Sequence, residues 1–354
     1  MPRPIQALID LSALEWNLKV ARRASNARTM AVIKANAYGH GLLRAAEALN
    51  AAEGFALLDL RDAIRLREAG FSQKILLLEG YFSPEDLSVV ADYDLACVIH
   101  SNQQIDMLDA YPRRRSLEIW LKIGTGMNRL GFAPDNIRDA LQKLKNHFAV
   151  RDITLMTHFS HADESTGVAA QLELFNELSA PYRLARSLAN SAGLLRYPAT
   201  HADWVRPGIM LYGASPFAEV TAQQIGLQPV MTLQSRIIAV QDLSPGETVG
   251  YGGVFCAKYS MRVGVVACGY ADGYPRCAPT GTPVLVDGQR TCILGRISMD
   301  MLTVDLTRLP SADVGSKVTL WGAGLPVEQV AHAAGTISYE LLCGLNERVP
   351  ILSI

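Results

Sequence analysis

A lysine with the surroundings of a nucleophile follows a short apolar segment near the amino terminus. Residues 29–33 are apolar and β-prone, which predicts a buried strand that ends at Lys34. Gly39 and Gly41 then break the chain before a run with helical spacing. A lysine at the end of an apolar strand is desolvated, which lowers its pKa, and a neutral amine can form a Schiff base with a carbonyl. A lone strand-end lysine more often only reaches for solvent, so the rest of the chain decides between the two interpretations.

Further polar residues follow later strand-like segments. They are Arg129, His158, Asn190, Ser191 and Arg206. Taken alone, His158 could be a histidine at the edge of the core whose hydrogen bonds are satisfied. Arg206 could likewise be an ordinary ion-pair partner. If each follows a strand of one parallel barrel, however, all of them meet Lys34 at the carboxyl-terminal mouth, where active sites form in that fold. Their common placement therefore favours one shared site.

The elements that must position these residues alternate regularly. About eight strand-like segments, beginning with the one before Lys34 and ending with residues 204–212, alternate with helical segments. None of them is followed by the glycine pattern of dinucleotide-binding folds. This alternation predicts an α/β fold, a (β/α)8 barrel, over residues 1–225. The seventh unit carries the weakest signal.

The pattern changes at about residue 227. Several β-prone segments follow, and the dipeptide Asp287-Gly288 lies between two of them, which is a strong hairpin signal. We predict a second, mainly β domain over residues 226–354. Two short helices are expected near 326–334 and 339–345.

The predicted mouth also offers groups that suit a phosphate. Ser191 provides a hydroxyl, and Gly208 and Ile209 provide backbone N–H groups where no large side chain blocks close approach. They follow the seventh and eighth predicted strands, the usual phosphate position of this barrel. A Schiff-base lysine together with a phosphate site indicates pyridoxal 5'-phosphate as cofactor.

Composition argues against several other classes of protein. The 354 residues are 49% hydrophobic and 19% charged with a formal net charge of −1, which predicts a globular protein with a large core and neither nucleic acid nor membrane as partner. The longest basic run, residues 113–115, is interpreted as a solvated loop. Asp10 interrupts the apolar run at the amino terminus, so no signal peptide is expected, and no apolar stretch is long enough to span a bilayer. The six cysteines have no C-x-x-C spacing, which predicts no metal site and fits a reducing cytoplasm.

Residues 31–41 resemble the cofactor-lysine segment of the alanine racemase family, the barrel class of pyridoxal-phosphate enzymes. Further segments resemble the same family in the same order, over nearly the whole chain: residues 122–131, 157–163, 204–209, 269–276, 295–300 and 336–339. Because several specific motifs recur together, the chain is identified as a member of that family.

The resemblance implies two bases. Lys34 would hold pyridoxal phosphate as an internal aldimine and exchange the α-proton on the D side, and Tyr270 would do so on the L side from the second domain of a partner subunit. Racemisation needs two faces because one loses a proton while the other gains one. A tyrosine is a poor base at neutral pH without help, and His158 and Arg206 match the family's hydrogen-bonded chain. From its sequence context alone, Tyr270 is interpreted as a core or interface aromatic.

The resemblance also implies the remaining contacts. Arg206 matches the arginine that faces the pyridine nitrogen, which stays unprotonated because a guanidinium only donates. Arg129 matches the arginine near the substrate carboxylate and the cofactor's phenolic oxygen. Lys122 matches a lysine that is carbamylated in some members and positions that arginine. Met299 and Asp300 match a substrate-binding segment of the partner subunit. The other implied cofactor contacts are Tyr38, His158, Asn190, Ser191, Gly208, Ile209 and Tyr339.

The resemblance implies a homodimeric, cytoplasmic isomerase that interconverts L-alanine and D-alanine, either for peptidoglycan precursors or for alanine catabolism. A racemase of broader or different specificity, for example for serine or lysine, remains an alternative because pocket size decides it. A third possibility is a barrel that only carries pyridoxal phosphate without turnover. The β-rich domain with Tyr270 argues against it, because a carrier needs no second base. Ser298 stands where some members have cysteine, so arguments from a thiol at that position do not transfer.

Overall fold

The computed structural model describes residues 3–111 and 115–354, so Arg113 and Arg114 of the basic run lie outside the described residues. After strand β1, Gln6–Ile9, eight parallel strands close into a barrel. These barrel strands are β2 (Arg28–Val32), β3 (Gly54–Leu57), β4 (Lys74–Leu77), β5 (Ala96–Ile99), β6 (Leu117–Lys122), β7 (Val150–Met156), β8 (Ala185–Ser187) and β9 (Trp204–Val205).

Helices precede and connect the barrel strands. They are Leu11–Ala24, Leu42–Ala48, Leu60–Glu68, Asp86–Asp92, Asn102–Leu108, Ile137–Asn146, Ala169–Ser179 and Ser191–Arg196. Strands such as β3 and β5 are buried along their whole length, because helices cover the outer face and packed side chains fill the inside. The predicted (β/α)8 barrel is confirmed.

The segment after β2 has an unusual backbone. Residues 35–38 all have φ between 52° and 54°, a left-handed conformation that costs about 1–2 kcal/mol per non-glycine residue. Hydrogen bonds maintain this turn: Gly39 N–H donates to the carbonyl of Ala35 at 3.0 Å, and Leu42 N–H donates to Oδ1 of Asn36 at 2.8 Å. The turn directly follows Lys34 and ends at the buried Tyr38, both of which line the barrel mouth.

The second domain is built on an eight-stranded sheet with the order β13-β16-β15-β14-β17-β10-β1-β18. Its remaining strands, including a separate two-stranded ribbon of β11 and β12, are β10 (Met231–Leu243), β11 (Thr248–Val249), β12 (Phe255–Cys256), β13 (Met261–Val266), β14 (Pro283–Val286), β15 (Gln289–Leu294), β16 (Leu302–Asp305), β17 (Lys317–Trp321) and β18 (Ile351–Ser353). Asp287 and Gly288, both with positive φ, form the predicted hairpin turn. Helices Val327–Ala333 and Ser338–Cys343 lie where two short helices are predicted.

Two features differ from the predictions. The strand predicted over residues 204–212 is only Trp204–Val205, followed by a 3-10 helix, Ile209–Tyr212, because Pro207 lacks an N–H and Gly208 leaves the extended conformation. Strand β1 pairs with β10 and β18 of the second sheet, although the predicted barrel domain begins at residue 1. A closed barrel has no free edge, so a ninth strand must pair elsewhere.

Two further observations bear on the class of protein. Among the helices of the described residues, none combines the length and the apolar character that crossing a membrane requires. Within residues 3–111 and 115–354, no three His, Cys, Asp or Glu side chains cluster in a way that could hold a metal ion.

Candidate active site

A cavity of about 690 Å³ opens at the carboxyl ends of the barrel strands. Most of the residues predicted for the site line it together: Lys34, Tyr38, Lys122, Arg129, His158, Asn190, Ser191, Arg206, Gly208, Ile209 and Tyr339. The parallel strands bring ten of these residues, between positions 34 and 209, to one end of the barrel, and the helix Ser338–Cys343 of the second domain contributes Tyr339. The fold therefore brings together the residues that the strand-end and phosphate arguments selected, along with Tyr38, Lys122 and Tyr339, which only the resemblance implied. Their individual roles stay predictions.

Lys34 is half-buried and lies two positions after β2, directly before the left-handed turn. Burial lowers the pKa of its ammonium group, and the nearby Arg129 lowers it further, while Glu79 and Cys343 act in the opposite direction. A lowered pKa favours the neutral amine, which is the form that attacks a carbonyl. Lys34 has the surroundings that a Schiff-base lysine requires.

Arg206 is buried beside the end of β9. Its Nη1 donates to the Ser187 hydroxyl at 2.5 Å, and its Nη2 donates to the carbonyls of Thr157 at 2.6 Å and Leu188 at 3.2 Å. Burial lowers the pKa of this guanidinium to about 10, so it stays charged at neutral pH. These contacts fix the orientation of a cation that also lines the cavity.

Two other titratable groups share this positively charged surrounding. Burial, and after it the charges of Arg206, Lys122, Arg129 and Lys34, lower the pKa of His158 to about 3, so its imidazole is neutral over the physiological range. Burial and the neighbouring cations, opposed only by Glu79, lower the pKa of Lys122 to about 8. Both pKa shifts have the same two causes, first burial and then the positive charges that share the cavity.

Another part of the cavity suits an anion. The Ser191 hydroxyl accepts a hydrogen bond from Gly208 N–H at 2.9 Å, and a Cβ at position 208 would lie 2.6 Å from the Tyr38 hydroxyl. Tyr38 stacks on Tyr212 with ring centroids 4.5 Å apart, and Tyr339 lies 5.9 Å from Tyr38. Backbone N–H groups, hydroxyls and missing side-chain bulk match the contacts of a phosphate. With Lys34 and Arg206, these residues fit pyridoxal phosphate.

Three predicted site residues lie elsewhere. Tyr270, Met299 and Asp300 belong to the second domain and are not among the described residues that line the cavity. Tyr270 is 38% exposed and Met299 is 54% exposed, which is high for large apolar side chains. Backbone hydrogen bonds join their two segments, from Tyr270 N–H to the carbonyl of Ser298 at 3.1 Å and from Ala271 N–H to that of Met299 at 2.9 Å.

The predictions missed several residues of the cavity. Glu79, the only carboxylate among the described lining residues, lies two positions after β4, and His100 directly follows β5. Applied to these strands, the strand-end argument would have found both. Phe82 and Cys343 also line the cavity, and no feature of their sequence context indicates it.

Comparisons with known proteins agree with this geometry. Residues 9–216 match the family model of the alanine racemase N-terminal domain, and residues 230–353 match that of the alanine racemase C-terminal domain. An alanine racemase of Nitrosospira multiformis is 62% identical over 353 residues, which are 99% of each chain. One of Paraburkholderia phytofirmans is 56% identical with the same coverage.

Solved structures are similar over the same length. The biosynthetic alanine racemase of Pseudomonas aeruginosa has a TM-score of 0.97 at 46% identity and 99% coverage of both chains. The alanine racemase of a D-cycloserine-producing Streptomyces lavendulae has a TM-score of 0.91 at 31% identity, covering 100% of this chain and 98% of its own. By both domain models, by sequence identity and by structure, the chain belongs to the alanine racemase family, whose members depend on pyridoxal 5'-phosphate.

Proposed function

We propose that this chain interconverts L-alanine and D-alanine, with Lys34 and Tyr270 as the bases on the two faces of the substrate. The observation that carries the proposal is the position of Lys34, with its lowered pKa, in one cavity with the Arg206 guanidinium and the Ser191–Gly208 pair. The curated relatives are named alanine racemases, which does not favour a broader specificity or a non-catalytic carrier.

The described residues would hold the cofactor at three points. Lys34 would bind it covalently, Arg206 would donate to its ring nitrogen, and the phosphate would contact a set of hydroxyl and N–H groups from Tyr38, Ser191, Gly208, Ile209 and Tyr339. His158 and Asn190 would complete its surroundings. When bound, pyridoxal phosphate supplies a carbonyl that captures the amino group and a conjugated ring that acidifies the α-hydrogen.

In each direction, one of the two bases removes the α-proton from one face and the other delivers a proton to the opposite face. Neutral Lys34 accepts the α-proton on the D side and returns it in the reverse direction, which its lowered pKa supports. Tyr270 does the same on the L side. Arg206 has only donors, so a ring nitrogen that faces it stays unprotonated and withdraws less charge, which disfavours side reactions such as transamination.

Arg129 would bind the substrate carboxylate, with Met299 and Asp300 forming the opposite wall. Lys122 is buried and has Arg129 among the cations that lower its pKa to about 8. A substantial share of Lys122 is therefore neutral at mildly alkaline pH, the form that reacts with carbon dioxide. A carbamate there would be an anion facing Arg129 and would position its guanidinium.

The proposal requires two copies of the chain. Tyr270, Met299 and Asp300 lie outside the cavity that contains Lys34 of the same chain, and each is partly exposed. We propose a homodimer in which the mainly β domain, residues 226–354, supplies these residues to the barrel, residues 1–225, of the partner. A C2 dimer then has two composite sites, each with one lysine and one tyrosine.

We also propose a cytoplasmic location and a role in supplying D-alanine for peptidoglycan precursors. The support is the similarity to the Pseudomonas enzyme, whose description calls it biosynthetic. The six cysteines of the chain are all free, as a reducing compartment requires.

The first experiment measures D-alanine formed from L-alanine by the purified protein with added pyridoxal phosphate. The second coexpresses two inactive chains, Lys34→Ala and Tyr270→Phe. In a mixed dimer with composite sites, one site contains both intact bases, so random pairing predicts about a quarter of the wild-type rate.

Three outcomes would contradict the proposal. Bound cofactor without any D-alanine would favour the carrier, or a racemase for another amino acid. A Tyr270→Phe protein that still racemises alanine would show that Tyr270 is not the second base. Inactive mixtures, despite mixed dimers detected by differently tagged chains, would mean that Tyr270 serves the site of its own chain.

A further inference from the structure

A group of charged residues lies directly behind Tyr270. Asp272 ends the 3-10 helix Tyr270–Asp272, and its side chain has no solvent exposure. Its Oδ1 accepts from Nη1 of Arg3 at 3.1 Å and from Nε of Arg348 at 2.7 Å. Its Oδ2 accepts from Nη2 of Arg3 at 3.3 Å and from Gly269 N–H at 2.9 Å. Both oxygens of this buried carboxylate are therefore fully used by donors.

The same two arginines also bind the segment that carries Met299. Arg348 donates from Nη2 to Oδ1 of Asp300 at 2.6 Å. Arg3 donates from Nη2 to the backbone carbonyl of Asp300, also at 2.6 Å. Each arginine thus bridges Asp272 and Asp300, and we call these four residues the arginine bridge.

From this arrangement we infer that Arg3 and Arg348 are positioning residues for the reaction, because the arginine bridge fixes the turn that presents Tyr270. The inference rests on the proposed role of Tyr270 as the second base. Neither arginine is among the described residues that line the cavity with Lys34, so neither belongs to the set that would hold the cofactor.

Backbone packing shows why the turn can be fixed from behind. A Cβ at Gly269 would lie 2.3 Å from the carbonyl oxygen of Met299, and a Cβ at Gly273 would lie 2.3 Å from that of Gly344. The turn is thus packed between the segments around residues 298–300 and 344–348. The Tyr270 ring, 38% exposed, projects from this packed base.

Stability alone does not explain the arginine bridge, and the placement of Tyr270 for proton transfer does. Exposed ion pairs contribute little, and burying a carboxylate costs free energy unless charged donors compensate. Here the arginines come from opposite ends of the chain and converge on one buried acid next to the proposed base. Proton transfer is sensitive to distance, and a misplacement of about 1 Å can reduce a rate on the order of a hundredfold.

The test compares Arg3→Gln and Arg348→Gln with the wild type, all as full-length protein loaded with pyridoxal phosphate. D-alanine is incubated in D₂O, and two rates are measured: deuterium incorporation at the α-carbon of D-alanine and formation of L-alanine. A misplaced Tyr270 leaves exchange through Lys34 intact but slows proton delivery to the other face. We expect the ratio of exchange to racemisation to rise on the order of tenfold in each variant.

Two reference proteins define the scale. Tyr270→Phe gives the upper limit, with exchange but little L-alanine. Arg22→Gln is the matched control, because Arg22 also donates to a carboxylate, that of Glu53 at 3.0 Å, and to a backbone carbonyl, that of Ala51 at 3.0 Å, but lies on the first helix. We expect its ratio to equal that of the wild type. A purely structural role for the arginine bridge would lower the unfolding midpoint and slow both rates equally.

The outcomes separate the two proposals. If Tyr270→Phe racemises normally, the proposed role of Tyr270 as the second base is wrong and the inference falls with it. If Tyr270→Phe exchanges without racemising while both arginine variants keep the wild-type ratio, only the positioning role is overturned. Both arginine side chains are 38% exposed, so folded variants are expected. Should Arg348→Gln fail to fold, Arg348→Lys, which keeps the charge but loses the bidentate fork, must give a raised ratio below that of Tyr270→Phe.

Discussion

Arg206 and Ser187 connect two neighbouring barrel strands through a hydrogen bond of 2.5 Å from the guanidinium to the serine hydroxyl. Ser187 is the last residue of β8, and its hydroxyl in turn donates to the carbonyl of Trp204 in β9 at 3.0 Å. Ser187 is fully buried and is not among the described residues that line the cavity. It therefore acts on the site only through the orientation of Arg206.

Replacing Ser187 with alanine tests this relationship. Ser187→Ala leaves a buried guanidinium N–H unpaired, which should lower the free energy of unfolding by about 1–3 kcal/mol. Because Arg206 loses a contact that orients it, we also expect the racemisation rate to fall about tenfold. The matched control is Ser235→Ala, a buried serine of the second sheet whose hydroxyl donates to the carbonyl of Ala267 at 2.9 Å. If Ser187→Ala and Ser235→Ala lose the same free energy of unfolding and have the same racemisation rate, Arg206 needs no support from Ser187.

Gly208 offers a second test, directed at the proposed phosphate contacts. A Cβ at this position would lie 2.6 Å from the Tyr38 hydroxyl, so Gly208→Ala must displace that ring or the backbone N–H that Ser191 accepts from. We expect weaker binding of pyridoxal phosphate, by about tenfold or more, measured by fluorescence titration of the apoprotein.

Gly193→Ala is the matched control for Gly208→Ala. It lies in the adjacent helix Ser191–Arg196, and a Cβ there would meet no atom closer than 3.4 Å. Its affinity for the cofactor should stay within a factor of about two, because a contact at that distance needs little adjustment. If both variants bind the cofactor like the wild type, the phosphate does not approach Gly208.

The pKa of His158 predicts how stability depends on pH. Burial lowers this pKa from 6.5 to about 3, so below pH 6.5 the unfolded chain binds a proton that the folded protein does not. Stability present above pH 6.5 is then lost as the pH falls towards 3, by at most about 1.4 kcal/mol per pH unit and less where solvent in the cavity screens the charge.

Chemical denaturation at several pH values checks the contribution of His158. In His158→Gln, the free energy of unfolding should fall less steeply between pH 6.5 and 4 than in the wild type. The control variant is His161→Gln, at an exposed histidine of the same segment. Identical slopes for all three proteins would mean that His158 takes up a proton in the folded state as readily as in the unfolded chain.

Much of the fold could be predicted because its signals are local. Each strand and helix of the barrel leaves its own periodicity, and the Asp287–Gly288 hairpin turn is encoded in two residues. The pairing of β1 with β10 joins residues more than 200 positions apart, so no local sequence pattern indicates it. The left-handed turn at residues 35–38 contains no glycine, so its residue types do not predict it, although hydrogen bonds within residues 35–42 maintain it.

The candidate site shows the same division. Lys34, His158 and Arg206 could be proposed because each follows a strand, and the barrel brings strand ends together. Ser187 lies within a strand, and its contact with Arg206 depends on the register of β8 and β9. The arginine bridge joins positions 3, 272, 300 and 348, which no spacing rule connects.

The choice between two lysines is the most direct test of the proposed chemistry. Lys34 and Lys122 both line the cavity, and the pKa of each is lowered by burial and neighbouring cations, so either amine could react with a carbonyl. We expect only Lys34 to bind pyridoxal phosphate covalently. After reduction with borohydride, mass spectrometry should place the cofactor on the Lys34 peptide in the wild type and in Lys122→Met, while Lys34→Ala should carry none. A label on Lys122 in the Lys34→Ala protein alone would show that the cavity, rather than one lysine, selects the cofactor. A label on Lys122 in the wild type would contradict the assignment of Lys34 as both the cofactor lysine and the base on the D side.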